Sequence, residues 1–404
     1  MPTKLPEPKP PGLPKSKPKI EGREGELFGK GLGGKLLSAF SGSDALVSLA
    51  VVALGFLVAT VILLCIGRNP AGMYQAILQV LTGFDARRGT WNARHVGEWL
   101  VVSSPLILCG LSMGFAARSG LFNIGAEGQY IAGITAAQVV ALSFPAIPGL
   151  HAAAAVSAAI LAGACWGGIV GFLKARYRVS EVVATIMMNY IALFAHRVIM
   201  LGLPGVLSFR TPDFPRTAAI SSPFLSMLTG NSRLNHGLWL TLAAVLVYAL
   251  IIGRTRLGYA LRATGHNIEA ARYGGIAVKA GITASMAIAG GFAGLAGSVV
   301  ALGVFPYGRI MTGFEGYGFE GIAVALVGNS GAWGTALSGL LFGMLRSAQS
   351  LMQGRQIPKE ITSIIVGLVV IFISLRAGMH LLIRWRLKEK AKARSAGEKP
   401  EEAR

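Results

Sequence analysis

Nine predominantly apolar runs, the shortest about fifteen residues and the longest twenty-three, dictate what this chain can become. They are Ala45–Gly67, Leu100–Ala117, Leu121–Leu142, Ala152–Leu173, Val182–Leu203, Leu238–Gly253, Ala280–Leu302, Gly334–Leu351 and Ile361–Leu375, with a shorter tenth, Gly318–Gly328. At 53% hydrophobic and 14% charged residues, the polar surface is too small to coat a soluble globule of 404 residues. Lipid offers no partner to an unpaired backbone amide, so such runs must cross as helices or close into a barrel. Barrel strands are about ten residues long and alternate in polarity, whereas these runs are long and continuous. The predicted fold is all-α, a polytopic transmembrane bundle of about ten spans with broken or re-entrant segments.

Charge then orients the bundle. The net charge of +20 gathers beside the runs and in the tails, a pattern of membrane lipid contact rather than nucleic acid binding. Residues 1–44, rich in Pro, Lys and Gly, read as a disordered cytoplasmic tail, 45–380 as the membrane domain, and 381–404 as a charged cytoplasmic tail. Ala45–Gly67 is too long for a cleavable signal and is expected to stay as an anchor. An even number of spans returns the basic C-terminal tail to the side of the N-terminal one, as the positive-inside rule asks. Arg87, Arg88 and Arg94 oppose that rule, although the amphipathic stretch Met73–Leu81 beside them suits the interface. The other long outer connection, Pro204–His236, suits either docking of an external partner or plain connection.

The most informative connection is 254–279, with five Lys or Arg against one Glu, held between two spans on the cytoplasmic side. Leu257, Leu261, Ile268 and Ile276 are expected to form the apolar side of short helices, leaving Arg262, Glu269 and Arg272 for polar contacts. This is the form a membrane subunit needs to receive force from a soluble motor; a loop that only fixes topology is the plainer alternative. The chain has no motor of its own. Gly29–Lys35 fits GxxxxGK, but Leu36 stands where Ser or Thr is required. Cys65, Cys109 and Cys165 lie in apolar runs without CxxC or Cys/His spacing, and no hydrolase or metal motif appears, so no cofactor or metal site is expected on this chain.

Polar groups inside spans are costly, which makes Asn123, Glu127, Gln129, Asn189 and Glu320 candidates for a translocation pathway, with Phe319 beside them. Amides and carboxylates interleaved with Phe122, Tyr190 and Phe319 suit a polar, ring-bearing solute. The same residues would also serve to cap broken helices or bridge spans. His196 and Arg197, near a span end, are expected to snorkel. Gly120–Gly128 and Gly318–Gly328 each place Phe and Glu beside Gly, about two hundred residues apart, a pointer to a repeat-built centre. The small residues of Gly163–Gly171 and Ala287–Gly297 are expected to let helices approach closely.

Three stretches carry a family resemblance: Gly120-Leu-Phe-Asn-Ile-Gly-Ala-Glu-Gly-Gln129, Gly265-His-Asn-Ile-Glu-Ala-Ala-Arg-Tyr-Gly-Gly-Ile276 and Gly316-Tyr-Gly-Phe-Glu-Gly-Ile-Ala-Val-Ala-Leu-Val-Gly328. From about residue 45 to 380 the chain resembles the inner-membrane permease subunits of bacterial ABC importers for nucleosides and simple sugars, within the wider group that includes branched-chain amino acid permeases. The resemblance implies an ABC ATPase subunit carrying ATP, a second permease that is often a different chain, and an extracytoplasmic solute-binding lipoprotein. It also implies that Glu269, Ala270, Ala271 and Gly275, which match the EAA-three-residues-Gly pattern of importer permeases, fit a short helix into the ATPase, with Arg262, Gly265 and Arg272 around it. The long basic N-terminal tail departs from the pattern. An ion-gradient-driven transporter or channel is the alternative function; a lipid-directed enzyme lacks its nucleophile, and a scaffold leaves the broken acidic segments unexplained.

Overall fold

The computed structural model describes residues 44–371 except 208, with side chains from 52 onward. All but the last residue of the expected tail 1–44, the expected tail 381–404 and the end of the run Ile361–Leu375 lie outside the described residues. The described residues from Ala50 onward form one compact unit.

The described chain is helical, as its composition demands. In order it forms α1 (Asp44–Cys65), α2 (Ala71–Thr82), β1 (Phe84–Asp85), β2 (Thr90–Trp91), α3 (Arg94–Arg118), α4 (Ala126–Ser143), α5 (Leu150–Tyr177) and α6 (Glu181–Leu201). There follow β3 (Arg210–Asp213), α7 (Pro223–Leu228), α8 (Gly237–Arg254), α9 (Arg256–His266), α10 (Ile268–Tyr273), α11 (Val278–Gly303), β4 (Tyr307–Arg309), α12 (Tyr317–Val327), α13 (Ala332–Gln353) and α14 (Glu360–Ile371). Every predicted apolar run coincides with a helix over most of its described residues. Five of these helices, α3, α5, α6, α8 and α11, are long and apolar enough to cross a membrane. The strands, which the sequence pattern did not signal, are two short antiparallel pairs, β1 with β2 and β3 with β4.

Burial separates the centre from the rim. The apolar windows of α3 and α11 are 83% and 89% buried, against 28–33% for α5, α6 and α8. Glycine explains how α11 sinks so deep: a Cβ on Gly290 would lie 2.1 Å from the Gly163 carbonyl oxygen, and one on Gly294 2.2 Å from that of Ala159. Backbone thus meets backbone along α5 and α11, as the small-residue stretches predicted.

The connections place the helix ends on two faces. Arg118 at the end of α3 donates from Nε to the Ser330 carbonyl at 2.8 Å and from Nη2 to that of Asn329 at 2.9 Å, bringing the α12–α13 turn to the end of α3. Ser285 in α11 donates to Ser119 at 2.8 Å. These ends share the face of the basic loop 254–279. On the opposite face, Arg233 binds Glu98 near the start of α3, with Nη2 2.6 Å from Oε2, a contact that raises the Arg233 guanidinium above its ordinary range. His151 meets Thr217 there at 2.9 Å.

The order central helix, returning connection, shorter helix and two further helices occurs as α3–α4–α5–α6 and again as α11–α12–α13–α14. The halves interlock: α3 packs on α12 and α13, and α11 on α4 and α5. The expected amphipathic stretch is α2, which buries Met73, Ala76 and Val80 and leaves Tyr74, Leu78 and Leu81 exposed.

Candidate functional site

The basic loop folds into two short helices because each begins on a side-chain cap. Thr255 Oγ1 accepts the Gly258 N–H at 3.0 Å to start α9, and Asn267 Oδ1 accepts the Ala270 N–H at 3.0 Å to start α10. Leu261 is buried and Ile276 half-buried, as expected of an inward side. Leu257 and Ile268 instead face outward, because α10 rests on the bundle chiefly through Ala271. Ile268 and Tyr273, the latter 93% exposed, flank in sequence the exposed Glu269–Arg272 pair at 2.9 Å, and Tyr259 of α9 is exposed as well. Ala270 is exposed, Arg262 half-buried, and Gly275 supplies the left-handed turn at φ 79° that leads toward α11.

Gly265 ties this loop to the bundle. A Cβ there would lie 2.6 Å from the Arg118 carbonyl oxygen and 2.9 Å from the Gly120 nitrogen. Gly120, at φ 73°, reverses the chain so that residues 121–125 turn back into the bundle before α4 begins. The run expected to be helical from Leu121 therefore starts helix only at Ala126. A cavity of about 390 Å³ opens beside this contact, lined by Gly120, Lys174, Gly265, His266, Asn267 and Glu269 among others.

Deeper in, the short helices α4 and α12 meet by their N-termini. Eleven residues at 1.5 Å each give α12 only about half of a ~30 Å hydrocarbon layer. Its unpaired N-terminal donors are met by Glu127, whose Oε1 accepts the Gly316 N–H at 2.8 Å and Oε2 the Gly318 N–H at 2.6 Å. The matching donors of α4 are met from the middle of α6: Asn189 Oδ1 accepts the Gly128 N–H at 2.8 Å, while its Nδ2 donates to the Ile124 carbonyl at 3.1 Å. Asn123 and Gln129, both fully buried, lock the returning segment. Asn123 Nδ2 donates to Gln129 Oε1 at 2.9 Å and to Ser112 Oγ at 3.0 Å, and Gln129 Nε2 donates back to Asn123 Oδ1 at 3.1 Å. In this conformation Asn123, Glu127, Gln129 and Asn189 thus cap and bridge, with their polar atoms engaged by the protein.

Glu320 and Phe319 sit differently. Arg346 of α13 donates to Glu320 Oε1 at 3.0 Å and to the Glu315 carbonyl at 3.0 Å, with its guanidinium carbon 4.1 Å from the centre of the Tyr317 ring. Glu315 in turn holds Arg309 and the Tyr130 hydroxyl, and Arg309 lies 4.4 Å from the Phe305 ring centre. The four charged side chains are 20–33% exposed, so they line a surface rather than a core. Next to them Phe319 packs edge-on against Phe314 at 5.6 Å, and Phe314 against Tyr190 at 5.1 Å. His196 does not snorkel: it is buried, sits 2.8 Å from Thr135 Oγ1 and accepts the Met311 N–H at 3.1 Å, holding the 304–316 connection in place. Arg197 is exposed.

Sequence reasoning missed Arg309, Glu315, Tyr130, Tyr317 and Arg346. Arg346 had a signal, a cation within the apolar run Gly334–Leu351. Arg309 and Glu315 had none, since they lie between runs in a connection whose return into the bundle only the fold reveals.

Residues 96–374 match the family described as branched-chain amino acid transport system / permease component. The chain is 38% identical over 333 residues to the guanosine ABC transporter permease protein NupP of Bacillus subtilis, covering 82% of this chain and 93% of that protein. It is 35% identical over 360 residues to the nucleoside ABC transporter permease protein NupB of Lactococcus lactis, covering 87% and 95%. With the glucose ABC transporter permease protein TsgB13 of Haloferax volcanii it shares 33% identity over 291 residues, covering 68% and 75%.

Proposed function

The chain belongs to the branched-chain amino acid transport system permease family, and from that premise we propose that it is the membrane-spanning subunit of an ATP-driven importer of nucleosides. One observation carries the substrate: similarity over nearly the full length of two relatives whose names specify guanosine and nucleosides. The more distant glucose relative keeps simple sugars as a secondary reading. The chain is then a transport subunit of a bacterial cytoplasmic membrane, with both termini and the basic loop on the cytoplasmic side. It binds no cofactor itself; ATP belongs to a partner ATPase. A second, different permease and an extracytoplasmic solute-binding lipoprotein complete the assembly.

The mechanism is alternating access. ATPase closure displaces α10 through Glu269, Ala270, Ala271, Arg272 and the apolar side chains beside them, with Arg262, Gly265 and Gly275 setting the position of the loop. Because Gly265 rests on the Arg118–Gly120 backbone, a shift of the loop moves the turn from which residues 121–125 return into the bundle. Asn123, Glu127, Gln129 and Asn189 pass that movement to the junction of α4 and α12, while Phe319 and Glu320 face the solute. The ion-gradient alternative has less support, since Glu127 is engaged by two backbone donors and Glu320 by Arg346.

Uptake of radiolabelled guanosine in cells with and without this gene tests the proposal, with ATP depletion and an ionophore as separate treatments. Uptake that requires the gene and ATP is expected. Uptake that survives ATP depletion and collapses with the ion gradient would replace this function with the alternative.

A further inference from the structure

Four charged residues that meet around the start of α12 sum to zero. Arg309 pairs with Glu315 and Arg346 with Glu320, all four a fifth to a third exposed. Their depth follows from their contacts. The backbone at Arg309–Met311 is held by His196, more than a turn below the end of α6, and Glu320 lies in the first turn of the half-length α12. Charge exposed at such depth is costly against lipid, so this surface borders water.

We infer that the two closed ion pairs make this surface a charge filter, admitting an uncharged ring-bearing solute and refusing the same solute when it carries a phosphate. The inference rests on the reading of the chain as a nucleoside permease and deepens it.

Both guanidinium groups are engaged on several sides. Arg346 is held by the Glu320 carboxylate, the Glu315 carbonyl and the Tyr317 ring, and Arg309 by the Glu315 carboxylate and the Phe305 ring. A phosphate would meet guanidinium groups whose charge a carboxylate already neutralises, so neutralising its charge requires drawing an arginine from that carboxylate and leaving the carboxylate unpaired and only partly hydrated. The two carboxylates also repel an approaching anion. A neutral base has no such conflict. It can lie on the half-exposed aromatic shelf of Tyr190, Phe314 and Phe319 while its ring N–H groups meet outward carboxylate lone pairs, with both ion pairs intact.

The test uses the assembled transporter in membranes, with the exposed Cys65 and Cys165 replaced by serine and Thr312→Cys, at an exposed position of the 304–316 connection outside the shelf, introduced as a reporter. A cationic, water-soluble thiol reagent is expected to label this cysteine. Guanosine at saturating concentration should slow labelling by roughly fivefold or more, as most sites fill, whereas guanosine 5′-monophosphate should leave the rate unchanged. Adding Glu320→Gln, which frees Arg346, should make the monophosphate protective as well. Gly313→Cys, where an added Cβ meets nothing within 4 Å, serves as a second reporter if the first prevents assembly. Equal protection by guanosine and its monophosphate in the parent would overturn the filter. So would an absence of labelling at both reporters in assembled complexes, which would mean that the shelf does not border water. Guanosine uptake by the wild-type transporter, measured alongside, tests the underlying function separately.

Discussion

Gly120 and Gly265 meet backbone to backbone, with a Cβ on Gly120 placed 3.0 Å from the Gly265 Cα. Two segments 145 positions apart, the loop proposed to receive force and the turn that feeds the half-helix junction, are thereby joined with no side chain between them. Only glycine permits that approach.

Gly265→Val should therefore push the loop from the bundle and weaken coupling. The added side chain begins 2.6 Å from the Arg118 carbonyl oxygen, so backbone must move. Transport is expected to fall by roughly tenfold, in the range of ordinary coupling energies. Gly274→Ala is the control, since its methyl would meet the nearest atom, the Ala270 carbonyl oxygen, only at 3.4 Å. Equal uptake by both variants and the wild type would remove this contact from the coupling path.

At α10 the competing explanations are a local ion pair and a docking surface. The Glu269 and Arg272 side chains are 65% and 61% exposed, so their pairing contributes only about 0–1 kcal/mol to stability. Glu269→Arg and Arg272→Glu should each leave the melting temperature almost unchanged while reducing solute-stimulated ATP hydrolysis. The double exchange restores the pair but presents reversed charges to the ATPase. We expect it to remain defective; recovery of ATP hydrolysis in the double variant would mean that the pair acts only within the loop.

Glu127 offers a stability test. Glu127→Gln leaves one oxygen to accept where two now do, so one N–H at the start of α12 loses its partner, at about 1–3 kcal/mol. The thermal midpoint of the purified protein should drop accordingly. Gly318→Ala should be worse, because its methyl would fall 2.2 Å from the Glu127 backbone nitrogen. An unchanged midpoint for Glu127→Gln would show that this carboxylate does not hold the junction.

Much of this arrangement was legible before any fold was known, for identifiable reasons. Apolar run length located the helices because lipid leaves the backbone no other partner, and the brevity of Gly318–Gly328 marked α12 as a half-crossing. The expense of burying amides and carboxylates singled out Asn123, Glu127, Gln129 and Asn189, and the structure shows each one engaged with backbone or amide partners. What periodicity could not give is pairing across the chain. Glu127 meets Gly316 and Gly318 only because the two halves interlock, and Arg309 and Glu315 enter the site through a connection that returns into the bundle. The outward placement of Leu257 and Ile268 escaped for a related reason: hydrophobicity alone does not distinguish a side chain buried in its own fold from one exposed for a partner.

Glycines of α11 supply the final prediction, because neighbouring positions differ so sharply. A methyl on Gly290 would lie 2.1 Å from the Gly163 carbonyl oxygen, which is backbone in the facing helix and cannot rotate aside. On Gly291 the nearest atom is Ile160 Cγ2 at 3.5 Å, an ordinary contact. Gly290→Ala must therefore separate α5 from α11 along their shared length, with an overpacking penalty of about 1–3 kcal/mol or more, whereas Gly291→Ala should be tolerated. Helix propensity favours alanine equally at both positions, so it cannot produce the difference. Size-exclusion profiles and thermal midpoints of the two single variants decide the matter. Comparable loss in both would mean that α11 is sensitive to any added bulk, and comparable tolerance would mean that the α5–α11 contact is looser than the glycine-to-carbonyl distances require.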